Sequence, residues 1–459
     1  MSSKRIDLTQ GSILKKLITI AAPIMGMQIF QMAYNLIDMF FLGRISPEAV
    51  AAAGSAGMYL WLSVAFFLIG QIGAEIGVSQ SMGKKDIPTA RKYGKNAILI
   101  SIILGVITGA ITIIFSHPLI SLLQIREAQV AYDAAIYLRI VGFAFPMIFI
   151  NNAVSGIYNG VGNSKLPFYL KTIGLIFNII ITPIFIFMLG WGIIGAAIAT
   201  AIGHIVTGLL LLISVKHPKL CPFEDFKFKE IFTANKGIIK QIFKWSLPVA
   251  TNSAFFTMLT MIIATFVAEF GAGALAAQRV GTQIESLTWL VGGGYAAAFR
   301  AYVGQNYGAK RFDRLRKGYS LSSLAMVLWG SGVGLLMFFA GAPIFRLFIT
   351  DPEIVAIGIS YMRILAVVQI AQSMDALSAS AFDGLGKTLP PTIVSITFNA
   401  LRVLVAFFLS QTALGIDGIW IGLAFGNLMR GIVLTTWYLL HSRNMYQEEK
   451  SNENYCTTS

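Results

Sequence analysis

The chain has 459 residues, of which 56% are hydrophobic and only 12% charged, with a mean hydropathy of +0.72 and a formal net charge of +14. Soluble globular domains carry about a quarter of their residues as charges, so this composition excludes one and indicates a chain that crosses a membrane many times. The positive balance does not indicate a nucleic-acid partner, because the basic residues stand in short clusters between apolar runs rather than along one face or tail.

The N-terminal stretch "MSSKRIDLTQGSILKK" starts basic, but no short apolar core with a small-residue cleavage site follows, so the first span is expected to be retained. That span, predicted at about 15–42, holds two unusual residues. Pro23 removes a backbone hydrogen bond and makes the helix a place to bend, or else gives it a static kink. Asp38 stands among Leu36, Ile37, Met39 and Phe40 near the far end of the span. A carboxylate there is expected to face a bundle interior or a hydrated cavity, where it can take up and release a proton; the alternative is an interfacial acid near the outer end of the span that caps the loop holding Arg44. Gln31 and Tyr34 share its face by helical spacing.

Further spans are predicted at about 52–81, 93–116, 131–160, 166–189 and 191–215. After a basic linker come spans at about 244–270, 275–304, 319–349, 355–382, 389–411 and 415–440, twelve in all. The even-numbered loops hold Lys84, Lys85, Arg91, Lys165, Lys227, Lys229, Lys310, Arg311, Arg314, Arg316 and Lys387, whereas the odd-numbered ones hold few cations, such as Arg44 and Arg126. The positive-inside rule then places both termini in the cytoplasm. Cys221 and Cys456 offer no disulfide framework, and the four histidines are scattered, so no metal site or cofactor is expected.

An internal repeat organises the whole. "QSMGKKDIPTARK" at 80–92 lies over "QNYGAKRFDRLRK" at 305–317 at a shift of 225, the same shift that pairs Pro23 with Pro248. At a shift of 224, "NGVGNSKLP" maps to "DGLGKTLPP", Tyr137 to Tyr361, Arg139 to Arg363 and Asn151 to Asp375. The predicted fold is therefore an all-α polytopic membrane protein of two parallel six-helix repeats. Its lobes are 1–216 and 244–441, joined by a cytoplasmic linker 217–243 and followed by a polar cytoplasmic tail 442–459. Parallel repeats are an architecture of secondary transporters, with the substrate site near mid-membrane.

Polar residues in the second half supply further candidates. Asp375 has a polar repeat mate, which favours a cavity-lining role, although an acid satisfied by Gln372 or Gln283 is the alternative. Asn252 and Gln283 either line the same C-lobe cavity or pack helices. Arg139 and Arg363 read as structural cations, and Glu75 and Arg300 as either an ion pair or two independent charges.

The 6+6 repeat, "APIMGMQIFQMAYNLIDMFFLGR" in span 1, the "Q..G.k" turn after spans 2 and 8, and "NGVGNSKLP" before span 5 together resemble the multidrug and toxic compound extrusion (MATE) family, in its DinF-like branch, over essentially the whole chain. The resemblance implies two lobes around a V-shaped cleft and cation-coupled efflux of small amphiphilic, often cationic compounds from a monomer in the cell membrane, in contact with membrane lipids. It implies that bending at Pro23 accompanies protonation. Gln31, Tyr34, Asn178 and Thr200 match positions lining the N-lobe cavity, which Asn151 joins through the repeat.

Thr182 is a departure, standing where many relatives carry a second acid. Losing that acid removes a hard anionic ligand and favours H⁺ over Na⁺ at Asp38, with a weaker Na⁺ site of Asp38, Asn178 and Thr200 as the alternative. A flippase for a lipid-linked precursor would need a strongly cationic cavity. An enzyme would need a nucleophile with its base, and no span supplies one.

Overall fold

Fifteen α-helices form in the computed structural model, which describes residues 5–223, 226, 228–349 and 351–458, with side chains given up to residue 445 and at 447 except those of 228, 229 and 287. Lys227 and the side chains of Lys229 and Cys456 lie outside these. The first repeat holds α1 (Ile13–Gly43), α2 (Pro47–Gly83), α3 (Ile87–Ile114), α4 (Ser116–Ser121), α5 (Ala128–Gly142), α6 (Phe145–Gly160), α7 (Lys165–Pro183) and α8 (Gly192–Lys216). The second holds α9 (Lys236–Glu269), α10 (Ala272–Gly308), α11 (Phe312–Arg346), α12 (Pro352–Ala366), α13 (Gln369–Gly384), α14 (Leu389–Ser410) and α15 (Ile416–Thr458). The starts of α2, α3 and α12 carry side-chain caps. Ser46 accepts from the Ala49 N–H ahead of Pro47, and Asp351 accepts from Glu353 and Ile354 ahead of Pro352.

Among the described residues, nine helices are long and apolar enough to span a membrane, and two bent pairs pass the same test together. With α10, which is 37 residues long but polar in its first half, these make twelve spans. Spans 4 and 10 differ from the expectation of single helices. Each is two helices, α5 with α6 and α12 with α13, bent by 53° and 52°.

Both repeats place a glycine of the neighbouring helix against the break. Gly105 on α3 meets the α5–α6 joint so closely that a Cβ there would lie 2.7 Å from Pro146 Cα, and Gly330 on α11 meets the backbone of Ile370 at 2.8 Å. These two glycines are 225 residues apart, and only a residue without a side chain lets the neighbouring helix seat against the joint.

The repeat extends to the turns. Lys85 and Lys310, 225 apart, both adopt positive φ, 60° and 55°, where the α2 and α10 helices end. Span 5 runs through Pro183 into a π-helical turn, Ile184–Met188. The polar C-terminal residues continue as the end of α15.

The chain packs as two units. One holds Thr19–Ala250 with the residues up to Leu8, and the other holds the chain from Thr251 with Thr9–Ile18. The core of the first gathers Ile98, Val154, Ile157, Tyr158 and Leu211. Its linker docks on α3: Phe223 and Ile231 join that core, Lys95 pairs with Glu230 and stands 5.4 Å from the Phe226 ring, and the Asn235 N–H donates to Asn96 Oδ1 at 2.9 Å. The second core is built around Met337, Phe345, Met362 and Trp420, with Tyr361 edge-on to Trp420 at 4.9 Å. Thr9–Ile18 is tied to this unit by Arg314, which donates to the carbonyls of Gly11 and Gln10 at 3.1 and 3.3 Å.

Candidate functional site

In the first unit, α1, α5, α7 and α8 bring polar side chains together around Asp38. The buried Tyr34, one turn before Asp38, places its hydroxyl 3.3 Å from Thr200 Oγ1 on α8. Tyr137 on α5 reaches the same Thr200 oxygen at 3.5 Å. Both tyrosines lie close enough to interact electrostatically with Asp38. Thr182 donates within α7 to the Asn178 carbonyl at 2.8 Å and lies 3.1 Å from Asn178 Oδ1. Gly203 lets α8 close on α7 here, since a Cβ at that position would sit 2.9 Å from Asn178 Cβ. Asp38 Oδ1 is enclosed and has no hydrogen-bond partner among the described residues. A buried carboxylate oxygen without a donor is satisfied by carrying a proton or by ligating a cation.

The remaining N-lobe candidates are not in this group. Gln31 donates along α1 to Asn35 at 3.3 Å. Asn151 on α6 donates to the His204 carbonyl at 3.3 Å, one turn along α8 from Thr200, and its buried Oδ1 is unbonded among the described residues. The α1 helix runs through Pro23 as one element. One turn earlier, the buried Ser164 hydroxyl donates to the Ile20 carbonyl at 2.6 Å, so α1 is anchored just before the proline.

In the second unit Asp375 is satisfied, but by Arg430 on α15 rather than by Gln372 or Gln283. The same guanidinium reaches Asn399 Oδ1 at 3.4 Å. Asn252 Oδ1 is buried without a hydrogen-bond partner among the described residues. Gln283 lines a cavity of about 350 Å³ with Thr260, Ala264, Gln278, Arg279 and Thr282. Arg300 pairs with Asp383 of its own unit at 3.3 Å. Arg139 donates to Ser116 at 3.2 Å, and Arg363 stands 5.8 Å from the Phe338 ring.

The sequence reading missed Glu285 on α10, which is only 3% exposed. The Tyr361 hydroxyl donates to it at 2.8 Å, and Gln372, with its amide oriented to satisfy both neighbours, donates to it at 3.1 Å and accepts from Trp289. Arg402 lies within electrostatic reach, donates to Thr260 at 3.2 Å and stands over the Phe256 ring at 5.1 Å. Lys171 on α7, near His204, was missed as well. The repeat alignment held a signal for Glu285: at a shift of 225 it lies over Leu60 and Arg279 over Gly54. Among the described residues, no group of three or more His, Cys, Asp or Glu side chains could hold a metal ion.

Comparison with known proteins adds to this geometry. The family model described as MatE matches residues 23–184 and 248–408, two stretches beginning at the repeat-related Pro23 and Pro248. The chain is similar to a probable multidrug resistance protein NorM of Thermotoga maritima, 27% identical and aligned over 93% of this chain and 92% of the relative. It is similar to a FAD transporter of Shewanella oneidensis, 25% identical over 87% and 89% of the two chains. A crystal structure described as MATE in the straight conformation superposes with a TM-score of 0.88 at 25% identity, covering 97% of this chain and all of the other.

Proposed function

The chain belongs to the MatE family, and we propose that it is a proton-coupled antiporter that exports small amphiphilic, often cationic compounds across the cell membrane. Relatives described as multidrug resistance and multidrug export proteins support an efflux transporter rather than an enzyme. The observation that carries the coupling assignment is the enclosed, unbonded Asp38 Oδ1. A proton neutralises this carboxylate and a bound cation stabilises its ionised form, so the two compete for Asp38 without touching the same atom. That competition drives exchange, with Tyr34, Asn178, Thr182 and Thr200 forming the polar wall and Pro23 giving α1 a place to flex. Both termini lie in the cytoplasm in this reading, as the cation-rich even loops require.

Na⁺ at Asp38, Asn178 and Thr200 is the second reading. Asn178 Oδ1 already faces the Thr182 hydroxyl at 3.1 Å, and position 182 supplies no negative charge. A Na⁺ ion would therefore find one carboxylate and a few neutral oxygens, a poor exchange for its hydration shell.

The test uses full-length protein in proteoliposomes with a cationic dye. With a pH gradient alone, one-for-one exchange accumulates the dye about tenfold per pH unit, and a Na⁺ gradient alone drives nothing. Asp38→Asn keeps the shape and removes the exchangeable charge, so it should insert normally and show no pH-driven accumulation. Accumulation by Asp38→Asn equal to the parent, at equal protein content, would overturn the role of Asp38. Accumulation under Na⁺ alone would replace H⁺ by Na⁺.

A further inference from the structure

The two broken spans are packed by equivalent positions of the repeats, and the residues there differ in kind. In the first unit the buried Phe145 and Phe149 of α6 meet edge-on at 6.2 Å, and Phe149 meets Phe67 of α2 at 6.1 Å. Leu104 of α3 joins the same apolar cluster. At the shift of 225, Phe67 and Leu104 become Gly292 and Trp329, and at 224, Phe145 and Phe149 become Gln369 and Ser373. One unit closes the joint with rings, and the other closes it with polar side chains.

These polar groups come to one level, together with Thr288. Tyr295 of α10 donates to Ser322 of the antiparallel α11 at 2.9 Å, so two turns back along α10 and two turns on along α11 bring Thr288 to the level of Trp329. Gly330, next to Trp329, lies so close to α13 that a Cβ there would sit 2.8 Å from the Gln369 carbonyl oxygen. Ser373 follows Gln369 by one turn.

Gln369, Ser373 and Thr288 are 0%, 1% and 2% exposed. Yet Gln369 Oε1, Ser373 Oγ, Thr288 Oγ1 and Trp329 Nε1 have no hydrogen-bond partner among the described residues. The Gln369 amide is held by its nitrogen, which donates to the Leu365 carbonyl at 3.0 Å. Helical hydroxyls can bond back to a carbonyl about one turn earlier, as Ser63, the repeat mate of Thr288, does to Leu60 at 2.6 Å. Ser373 and Thr288 do not. Gly292 is buried as well, and a Cβ on it would meet no atom within 4 Å, so space remains where the first unit has the Phe67 ring.

We infer that the junction of α10, α11 and α13 is a water-binding site, where buried water bonds to Gln369, Ser373, Thr288 and Trp329. The donor set selects water over an ion. Trp329 Nε1 only donates, Gln369 Oε1 only accepts, the two hydroxyls do either, and none of the four carries a charge. A buried water makes about three bonds to groups that are otherwise unsatisfied, whereas a cavity lined by apolar groups stays dry. The consequence is mechanical. Bonds to water can be exchanged as the two halves of span 10 tilt, while the ring-packed joint of span 4 must repack to move. The site lies within the second unit and does not depend on what is exported.

Purified full-length protein in detergent tests this by the sign of a stability change. If water satisfies the hydroxyls, Ser373→Ala and Thr288→Val remove bonds and each lower the unfolding midpoint by about 1–3 °C. If the hydroxyls are dry, the same changes remove unpaired polar groups and raise it. X-ray hydroxyl-radical labelling, which oxidises side chains beside bound water, gives a second readout. Labelling of Trp329 should fall severalfold in Gly292→Ala, whose methyl takes the open space, while the exposed Trp61 is labelled as in the parent. Midpoints that fall in neither hydroxyl variant, or Trp329 labelling unchanged in Gly292→Ala, would overturn the inference.

Discussion

Tyr137 and Tyr361 occupy equivalent places on the two broken spans, yet their hydroxyls meet different chemistry. Tyr137 reaches a neutral oxygen, Thr200 Oγ1, at 3.5 Å, beside an acid whose Oδ1 has no partner. Tyr361 donates at 2.8 Å to a carboxylate, Glu285, which Gln372 also holds, and the neighbouring Asp375 is locked to Arg430. One fold therefore carries two electrostatic designs. In the first unit Asp38 Oδ1 is unbonded among the described residues, and in the second Asp375, Asp383 and Glu285 are held by cations and donors. Pairing decides whether a buried carboxylate can exchange a proton, because a committed one must break strong local bonds before it can change state.

The largest test of that contrast is to uncommit an acid. Arg430→Ala should leave Asp375 buried and unpaired and cost about 3–5 kcal/mol, read as a lowered unfolding midpoint of the detergent-purified protein. Removing both members, with Asp375→Leu and Arg430→Met, should cost much less, because no charge is stranded. A loss below about 1 kcal/mol for Arg430→Ala would mean that the pair is not a fixture, and Asp375 would become a second candidate for proton exchange.

A smaller effect separates the two tyrosines. Tyr361→Phe removes a hydrogen bond to a buried carboxylate, about 1.5–3 kcal/mol, whereas Tyr137→Phe removes a long neutral contact, about 0.6 kcal/mol on the membrane-protein average. Equal losses on thermal unfolding would show that the two sites are electrostatically alike and would break the comparison.

Much of this was legible in the sequence, and the parts that were not have definite causes. Hydropathy and the 225-residue shift gave the spans and the repeat because both depend on composition along one chain. Asp38 stood out because nothing near it in sequence is charged. Glu285 and Arg279 did not, since α10 is polar enough over its first half that single charges there look ordinary. Only subtraction of the α2 register exposes them. The partner of Asp375 was illegible because Arg430 is 55 residues away, on a helix whose facing side is set by packing. The breaks in spans 4 and 10 were hidden because Pro146 marks one and no proline marks the other. The shared signal lies on neighbouring helices, in Gly105 and Gly330.

The smallest contrast lies outside the membrane, at the helix starts that follow α2 and α10. Asp86 caps α3, accepting from the Thr89 N–H at 3.0 Å, whereas its repeat mate Arg311 gives α11 no side-chain cap. Hydrogen bonds from Thr89, its side chain first and its N–H second, hold the Asp86 carboxyl below its ordinary value, with Lys92 and Lys84 adding to the effect. A carboxyl depressed in this way contributes stability that is complete above its unfolded value, near about 4, and lost as the pH falls through the lower folded value. Asp86→Ala should therefore cost about 1 kcal/mol at neutral pH. The loss should appear as faster amide exchange in the first turn of α3 and vanish in acid. Arg311→Asn should slow exchange in the first turn of α11, since an asparagine supplies the missing acceptor without bringing an acid into the basic turn. If Asp86→Ala leaves exchange in α3 unchanged while Arg311→Asn protects α11, the cap is redundant in the first unit alone. The linker docked on α3 through Lys95 and Asn96 would then be what holds that helix end.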